Sequence, residues 1–403
     1  VTRKNNIEAS SLSPERIIGK YSGDSGGPTV ICIAGIHGNE PAGVLALERV
    51  FSRLEEGRPS FMGELVGITG NIQALREGAR FIEEDLNRMW QPDVIAGLSS
   101  SGEGSGNYVF ERAERRDLIN ILAELCSGKN SPVYFLDLHT TSAEGGPFMT
   151  IADTLRNRKF TDNFPVPRIL GIEEQLDSTL LNYINEIGYV AVGFEAGQHV
   201  AKSSVDNCEA AVWIMMASAG LISAGDFGLY GNPYQTLKKA SANNAGVYEV
   251  CYRHDVNTGD GFSMNPGFIN FQPIKKGELL AHDNSGDIRA GEGGYIFMPL
   301  YQKQGNDGFF IIRVINPLWL EISVLLRKLR LERFLTYLPG FESLDGRTGA
   351  LTVDLNVARW NVIELLHLLG YRKKFTSKGK LYASRRKFDI EEPVDYKFPI
   401  GVA

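Results

Sequence analysis

Three times before residue 200, a short run rich in β-branched and aromatic residues stops at a side chain able to bind a metal or move a proton. Thr29 to Ala34 runs into Gly35-Ile36-His37-Gly38-Asn39-Glu40-Pro41, Val133 to Leu138 runs into His139, and Tyr189 to Phe194 runs into Glu195. Apolar runs of this length, bounded by glycine and turn residues, read as buried strands, as does Leu65 to Thr69. Between them lie segments with helical spacing. Pro41 to Leu54 carries Val44, Leu45, Leu47 and Phe51, and Arg112 to Leu125 carries Leu118, Ile121, Leu122 and Leu125. Further helices are predicted over Leu176 to Ile187 and Cys208 to Ala219. Strands alternating with helices predict an α/β fold, a sheet with helices on both faces. In such sheets ligands bind at the carboxyl ends of the strands, where His37, Glu40, His139 and Glu195 all fall.

The texture changes twice further along. From about Val247 the chain turns to short alternating strands with glycine-rich turns, YEVCYRH, GFINF, ELLAHD and YIFMPL, which predict a small all-β domain. Beyond Pro317 it becomes helical in pattern and more basic, through Leu325, Leu326, Leu329 and Phe334 and later Val357 to Leu369. At 403 residues the chain is long for one core. The division read from it is a catalytic domain over residues 1–245, a small β domain over 246–316 and a mostly helical extension over 317–403. Gly97 to Asn107, GLSSSGEGSGN, reads as a mobile surface connection with a candidate lid role.

An apolar share of 43% and a charged share of 22% are those of a folded globular protein, and a net charge of -6 argues against nucleic acid or an anionic membrane as partner. Small molecules are the expected ligands. Cys32, Cys126, Cys208 and Cys251 lie far apart with no C-x-x-C pair, which predicts reduced thiols in a cytoplasmic protein. No stretch reaches the roughly 18 apolar residues of a membrane span. The opening Val-Thr-Arg-Lys-Asn-Asn lacks the apolar core of a secretory leader, while a first residue other than Met leaves room for a removed segment.

The chemistry follows from residue types at strand ends. His37 and Glu40 stand three apart in a loop where Gly35 and Gly38 let the backbone fold tightly and Pro41 suits the start of a helix. His139 ends a second strand. A lone strand-end histidine is more often a structural hydrogen bonder, but two histidines with one carboxylate form a zinc ligand set that leaves a fourth position open, as catalytic zinc requires. An ionised Glu195 after apolar residues faces a desolvation cost unless it is paired or placed at a site. Its bland reading is a salt-bridged rim carboxylate, and its functional reading is the general base. Arg80 and the run Asp85-Leu86-Asn87-Arg88 add two guanidinium groups and an amide, suited to an oxyanion or a substrate carboxylate, although bare charges are more often solvated.

The motifs GIHGNE, DLNR, DLHTT and GFEAG, in this order and at these intervals, resemble the succinylglutamate desuccinylase/aspartoacylase family, relatives of the zinc carboxypeptidases. The resemblance runs from about Thr29 to Leu300. It implies a mixed sheet with helices on both faces and one zinc per chain on His37, Glu40 and His139. It further implies Glu195 as base, Arg80 polarising the scissile carbonyl, Asn87 and Arg88 gripping a substrate carboxylate, and a small β domain overhanging the cleft. The sequence departs from the family where aspartoacylases carry a second carboxylate-binding arginine, ten residues before the catalytic glutamate, since that residue is Asn185. The tyrosine supplied by the family's small domain has only Tyr295 and Tyr301 as candidates. His199, His254, His282 and His367 lie outside every motif, and the turn Ile274 to Leu279 resembles lipoyl-like domains without a convincing cofactor lysine.

The expected function is zinc-dependent hydrolysis of the amide bond of an N-acyl amino acid or similar small carboxylated amide. The rivals are a metallocarboxypeptidase with the same carboxylate grip and a non-catalytic zinc-binding protein. Retention of Glu195 weighs against the last, because binding alone needs no general base.

Overall fold

The computed structural model describes residues 14–92, 95, 110–176, 178–229, 231–344, 349–358 and 361–391. The candidate lid Gly97 to Asn107 and the opening residues lie outside them. The apolar runs before residue 260 form β1 (Ile17–Ser22), β2 (Asp24–Ala34), β3 (Met62–Thr69), β4 (Val133–Thr141), β5 (Phe148–Ile151), β6 (Arg168–Leu170), β7 (Val190–Gln198) and β8 (Val247–Asp255). The helical spacings form α1 (Ala42–Gly57), α2 (Ile72–Glu77), α3 (Phe110–Cys126), α4 (Leu155–Thr161), α5 (Leu180–Glu186), α6 (Lys202–Ala219) and α7 (Pro233–Ala240).

Alternation along each strand sorts the apolar side chains to two faces. Val30, Cys32, Ala34, Leu136, Leu138, Val192 and Phe194 pack against α1 and α6. Ile31, Ile33, Val66, Ile68, Phe135 and Ala191 pack against α3 and α5 on the other side. Both faces are thus covered, which is why the central strands read as nearly unbroken apolar runs. Each fully buried Leu, Ile or Val side chain of these layers contributes about 1.5–3 kcal/mol. Strands β3, β2, β4 and β7 run parallel, so their carboxyl ends share one edge of the sheet.

The expected small β region adds β9 (Ser263–Met264), β10 (Gln272–Ile274), β11 (Leu279–Asp283), β12 (Gly286–Arg289), β13 (Gly294–Phe297) and β14 (Asp307–Val314). Three of these strands extend the main sheet, whose order is β1-β3-β2-β4-β7-β5-β6-β8-β14-β13-β10, while β12-β11-β9 form a separate sheet. The sheet is mixed, with parallel and antiparallel pairs. GFINF is not a strand. Gly267 and Phe271 both take positive φ, which turns the backbone there, and the strand starts only at Gln272. The turn sets Asn270 to bond the Thr141 hydroxyl and the Met298 amide, stitching this region to the end of β4.

Beyond Pro317, α8 (Pro317–Lys328) and α9 (Val362–Leu368) are the helices expected. The extension is not mostly helical, however. It also holds a four-stranded antiparallel sheet of β15 (Phe341–Ser343), β16 (Ala350–Asp354), β17 (Tyr371–Ser377) and β18 (Lys380–Arg385). Its core joins Leu351, Val353, Tyr371, Leu381 and Ala383 to Leu366 and Leu369. Short strands that spend alternate positions on Lys, Arg and Ser show little apolar periodicity, so the basic composition masked them. Among the described residues no helix is long and apolar enough to cross a membrane, and the four cysteines are free.

This C-terminal unit docks through buried charge. Arg327 of α8 is wholly buried and reaches Asp153 at 3.0 Å and Asp389 at 3.2 Å, while Arg372 reaches Asp153 at 2.6 Å and Glu249 of β8 at 3.4 Å. Burial alone would raise the Glu249 carboxyl, but its hydrogen bond to His367 and the charges of Arg372 and Arg313 hold it down to about 2. A depressed folded-state pKa gives stability that is complete above the ordinary value of 4.5 and is lost as pH falls from there towards 2. Melting temperature measured between pH 6 and 2 should therefore fall less steeply for Glu249→Gln than for the unaltered protein. Parallel profiles in that window would remove Glu249 from the docking energetics.

Candidate active site

The loop after β2 is shaped by two glycines. Gly35 has φ of +67°, and a Cβ on Gly38 would lie 2.0 Å from the Ala74 carbonyl carbon, so that backbone must pass too closely for any side chain. The tight path turns His37 and Glu40 toward His139 at the end of β4. The candidate ligand atoms of these three buried residues lie within 4.8 Å of one another. Glu40 sits between the rings, with Oε1 2.9 Å from His37 Nδ1 and Oε2 3.1 Å from His139 Nδ1. The Thr140 amide donates to Glu40 Oε2 at 2.9 Å.

The far side of each ring faces another carboxylate. His37 Nε2 is 3.3 Å from Asp85 Oδ1, and His139 Nε2 is 2.9 Å from Asp137 Oδ2, the latter at ion-pair distance but without hydrogen-bond alignment. Carboxylates there favour the Nε2–H tautomer and turn both Nδ1 lone pairs to the centre. Burial opposes a proton on His139, yet Asp137 and Glu40 raise its proton affinity well above normal. Burial would raise Asp85, yet Arg80 and His37 hold it well below the usual range. Four carboxylates, Glu40, Asp85, Asp137 and Glu195, thus converge on two imidazoles and the Arg80 guanidinium. That excess of negative charge, with an N2O donor set and Nε2-side carboxylates, fits a divalent cation of the zinc type.

Glu195 is brought beside this cluster by sheet register, pairing with His139 across β4 and β7. Its side chain is buried, and Oε2 has no hydrogen-bond partner among the described residues. Burial pushes its carboxyl up to about 8, with the His139 charge pulling down and Glu40 and Asp137 pushing up. Arg80 lies 3.1 Å from Asp85 and 3.7 Å from Glu40, and its Nε has no hydrogen-bond partner among the described residues. A cavity of about 100 Å³ is lined by His37, Glu40, His139, Arg80, Asn87, Arg88 and Glu195. With room for several waters, it is of a size for a small metabolite. All seven residues singled out from the sequence therefore meet in one place.

Two of them are not free as expected. Arg88 donates to Asp307 Oδ2 at 2.7 Å and to the Asn87 carbonyl, and Asn87 Oδ1 accepts the Leu180 amide at 3.0 Å. Asn185, at the cavity wall, spends its side chain on Asn157 and the Leu181 and Ala191 carbonyls. The candidate tyrosines do not line the cavity. Tyr301 donates to the Asn265 carbonyl and Tyr295 packs edge-on against Tyr248. The residues missed are Gln302 and Gln304 just before β14, Asp307 at its start, and His199. Gln302 accepts from Asn39 at 2.8 Å and lies 3.1 Å from His199 Nε2, while His199 Nδ1 contacts the Thr140 hydroxyl. Only the nearness of His199 to Glu195 in sequence could have signalled it. Arg386 of the C-terminal unit reaches Asn182 on the cavity wall at 3.3 Å, which no local pattern foretold.

Residues 26–211 match the succinylglutamate desuccinylase/aspartoacylase catalytic domain. That segment, which carries His37, Glu40, His139 and Glu195, is similar to the family's catalytic domain. The chain is 34% identical over 114 residues to a succinylglutamate desuccinylase of Pseudomonas paraeruginosa, a match covering 28% of this chain and 31% of that protein. The chain thus spans about a third of the length of such a relative. It is 25% identical over 273 residues to a succinylglutamate desuccinylase of Shewanella woodyi, covering 65% of this chain and 75% of that one. In fold it is similar to a succinylglutamate desuccinylase/aspartoacylase from Rhodobacter sphaeroides, with a TM-score of 0.54, 17% identity and coverage of 74% and 88%. The succinylglutamate desuccinylase from Vibrio parahaemolyticus is similar too, with a TM-score of 0.51, 18% identity and coverage of 72% and 82%.

Proposed function

We propose that this chain is a zinc-dependent amidohydrolase that removes the acyl group from an N-acyl amino acid or a similar small carboxylated amide. The observation that carries the reading is the register pairing of Glu195 with His139, which sets an unpartnered buried carboxylate beside a His-Glu-His metal cluster. One zinc ion held by His37, Glu40 and His139 would supply Lewis acidity and a readily ionised water. Asp85 and Asp137 keep the two imidazoles oriented. Glu195 takes the proton from the attacking water and returns it to the leaving nitrogen, a task suited to a carboxyl raised toward neutrality. Arg80, whose side chain lines the cavity beside the cluster, is placed to stabilise negative charge growing on the scissile carbonyl oxygen. The cavity's size favours a small amide over a folded peptide end.

Turnover of a panel of N-acyl amino acids by zinc-loaded protein, run beside a chromogenic carboxypeptidase substrate, tests the reading; activity confined to the peptide would reject it. Elemental analysis should find one metal per chain, and either His37→Ala or His139→Ala should lose it. Chelation should abolish turnover and added zinc restore it. A metal content indifferent to both substitutions would end the assignment of these ligands.

A further inference from the structure

Asp307, the first residue of β14, faces the same cavity as the metal cluster and is 219 positions from the arginine it binds. Its Oδ2 accepts from Arg88 Nη2 at 2.7 Å, and its Oδ1 accepts from Arg253 Nε at 2.6 Å. Arg253 is itself tied to Asp255 and to the Gln175 carbonyl, so Asp307 is held in place from behind. Side-chain exposures of 27% for Arg88 and 17% for Asp307 keep the pair partly out of solvent, where salt screens it less than at the surface. Short charge-assisted bonds of this kind are the strong class of hydrogen bond.

A substrate carboxylate that approached Arg88 would have to displace or share a carboxylate already there. It would also come to rest beside a like charge. Both effects reduce what a negative charge on the substrate gains at this position. Asn185 offers no compensation, since its side chain is spent on structural bonds. We propose that Asp307 is a specificity-determining residue that occupies the Arg88 guanidinium, so that the site takes amides with an uncharged flanking group as readily as their carboxylated counterparts. The proposal rests on the amidohydrolase reading and widens its substrate class to include uncharged N-acyl amines and amidated or esterified N-acyl amino acids.

The test is binding rather than turnover. Calorimetry of zinc-loaded protein in a Glu195→Gln background compares N-acetylglycine with its uncharged counterpart N-acetylglycinamide. With Asp307 present the two should bind within about threefold of each other. Asp307→Asn should tighten N-acetylglycine about tenfold, the effect of one charge-assisted bond regained, and leave N-acetylglycinamide within about twofold. Adding Arg88→Gln to Asp307→Asn should erase the gain. An unchanged ratio in Asp307→Asn, or a gain that persists without Arg88, overturns the proposal. A cooperative melt is required of each variant, with Asp307→Ser measured in the same way as a second variant. Failure of both ligands to bind any of these proteins at full zinc occupancy would overturn the amidohydrolase reading, and the proposal with it.

Discussion

Replacing Glu195 by glutamine is expected to lower kcat by about 10²–10⁴-fold while fold and metal content stay intact, the usual contribution of a general base. Glutamine matches glutamate in shape, and Oε2 has no bond in the described structure for the change to break. What the substitution removes is the ability to accept a proton beside His139. Burial raises the proton affinity of this carboxyl above that of an ordinary glutamate, which favours uptake of the proton from the attacking water. The measurement is turnover of the best N-acyl amide together with zinc content. Turnover near the unaltered level at full occupancy would remove Glu195 from the mechanism and leave it a buried rim carboxylate.

Arg327→Ala should destabilise the protein by about 3–5 kcal/mol, the range for breaking a buried charge pair from one side. Arg327 donates to Asp153, Asp389 and the carbonyls of Asp153, His367 and Leu368, so truncation strands several acceptors in a site without water access. Burial would raise the Asp153 carboxyl, but Arg158, Arg327 and Arg372 together hold it well below its usual range. Loss of one of three cations is felt there as well. Urea denaturation should show an early transition that belongs to the C-terminal unit. A loss below about 1 kcal/mol would mean that Arg158 and Arg372 suffice and that Arg327 is replaceable.

The docking has a consequence for the site. Arg386 of the C-terminal unit contacts Asn182, and the Glu173 carboxylate, which lines the cavity, lies 4.0 Å from the same guanidinium. Loosening this unit should therefore alter KM before it alters kcat, since His37 and Glu40 stand on the loop after β2 and His139 and Glu195 on β4 and β7.

Local pattern is enough to place the side chains of the site. His37, Glu40, His139 and Glu195 each sit within a few residues of the end of an apolar run, and parallel strands bring such ends to one edge of a sheet. Strand register then had only to place His139 beside Glu195, as it does. Gly35 and Gly38 were legible for the same reason, because close backbone approach leaves a glycine in the chain. The tertiary structure alone decided the partners of those groups. Arg88 reads in sequence as a free carboxylate clamp, and only the docking of β14 against the DLNR turn shows it holding Asp307. Asn185 reads as a missing cation, and only packing shows it bonding Asn157 and two carbonyls. The C-terminal sheet escaped because its buried face alternates with basic residues, and Arg386 meets Asn182 across 204 positions. Periodicity records which face of an element is buried. It carries nothing about which distant charge will lie opposite, because that pairing is set by how separate segments dock.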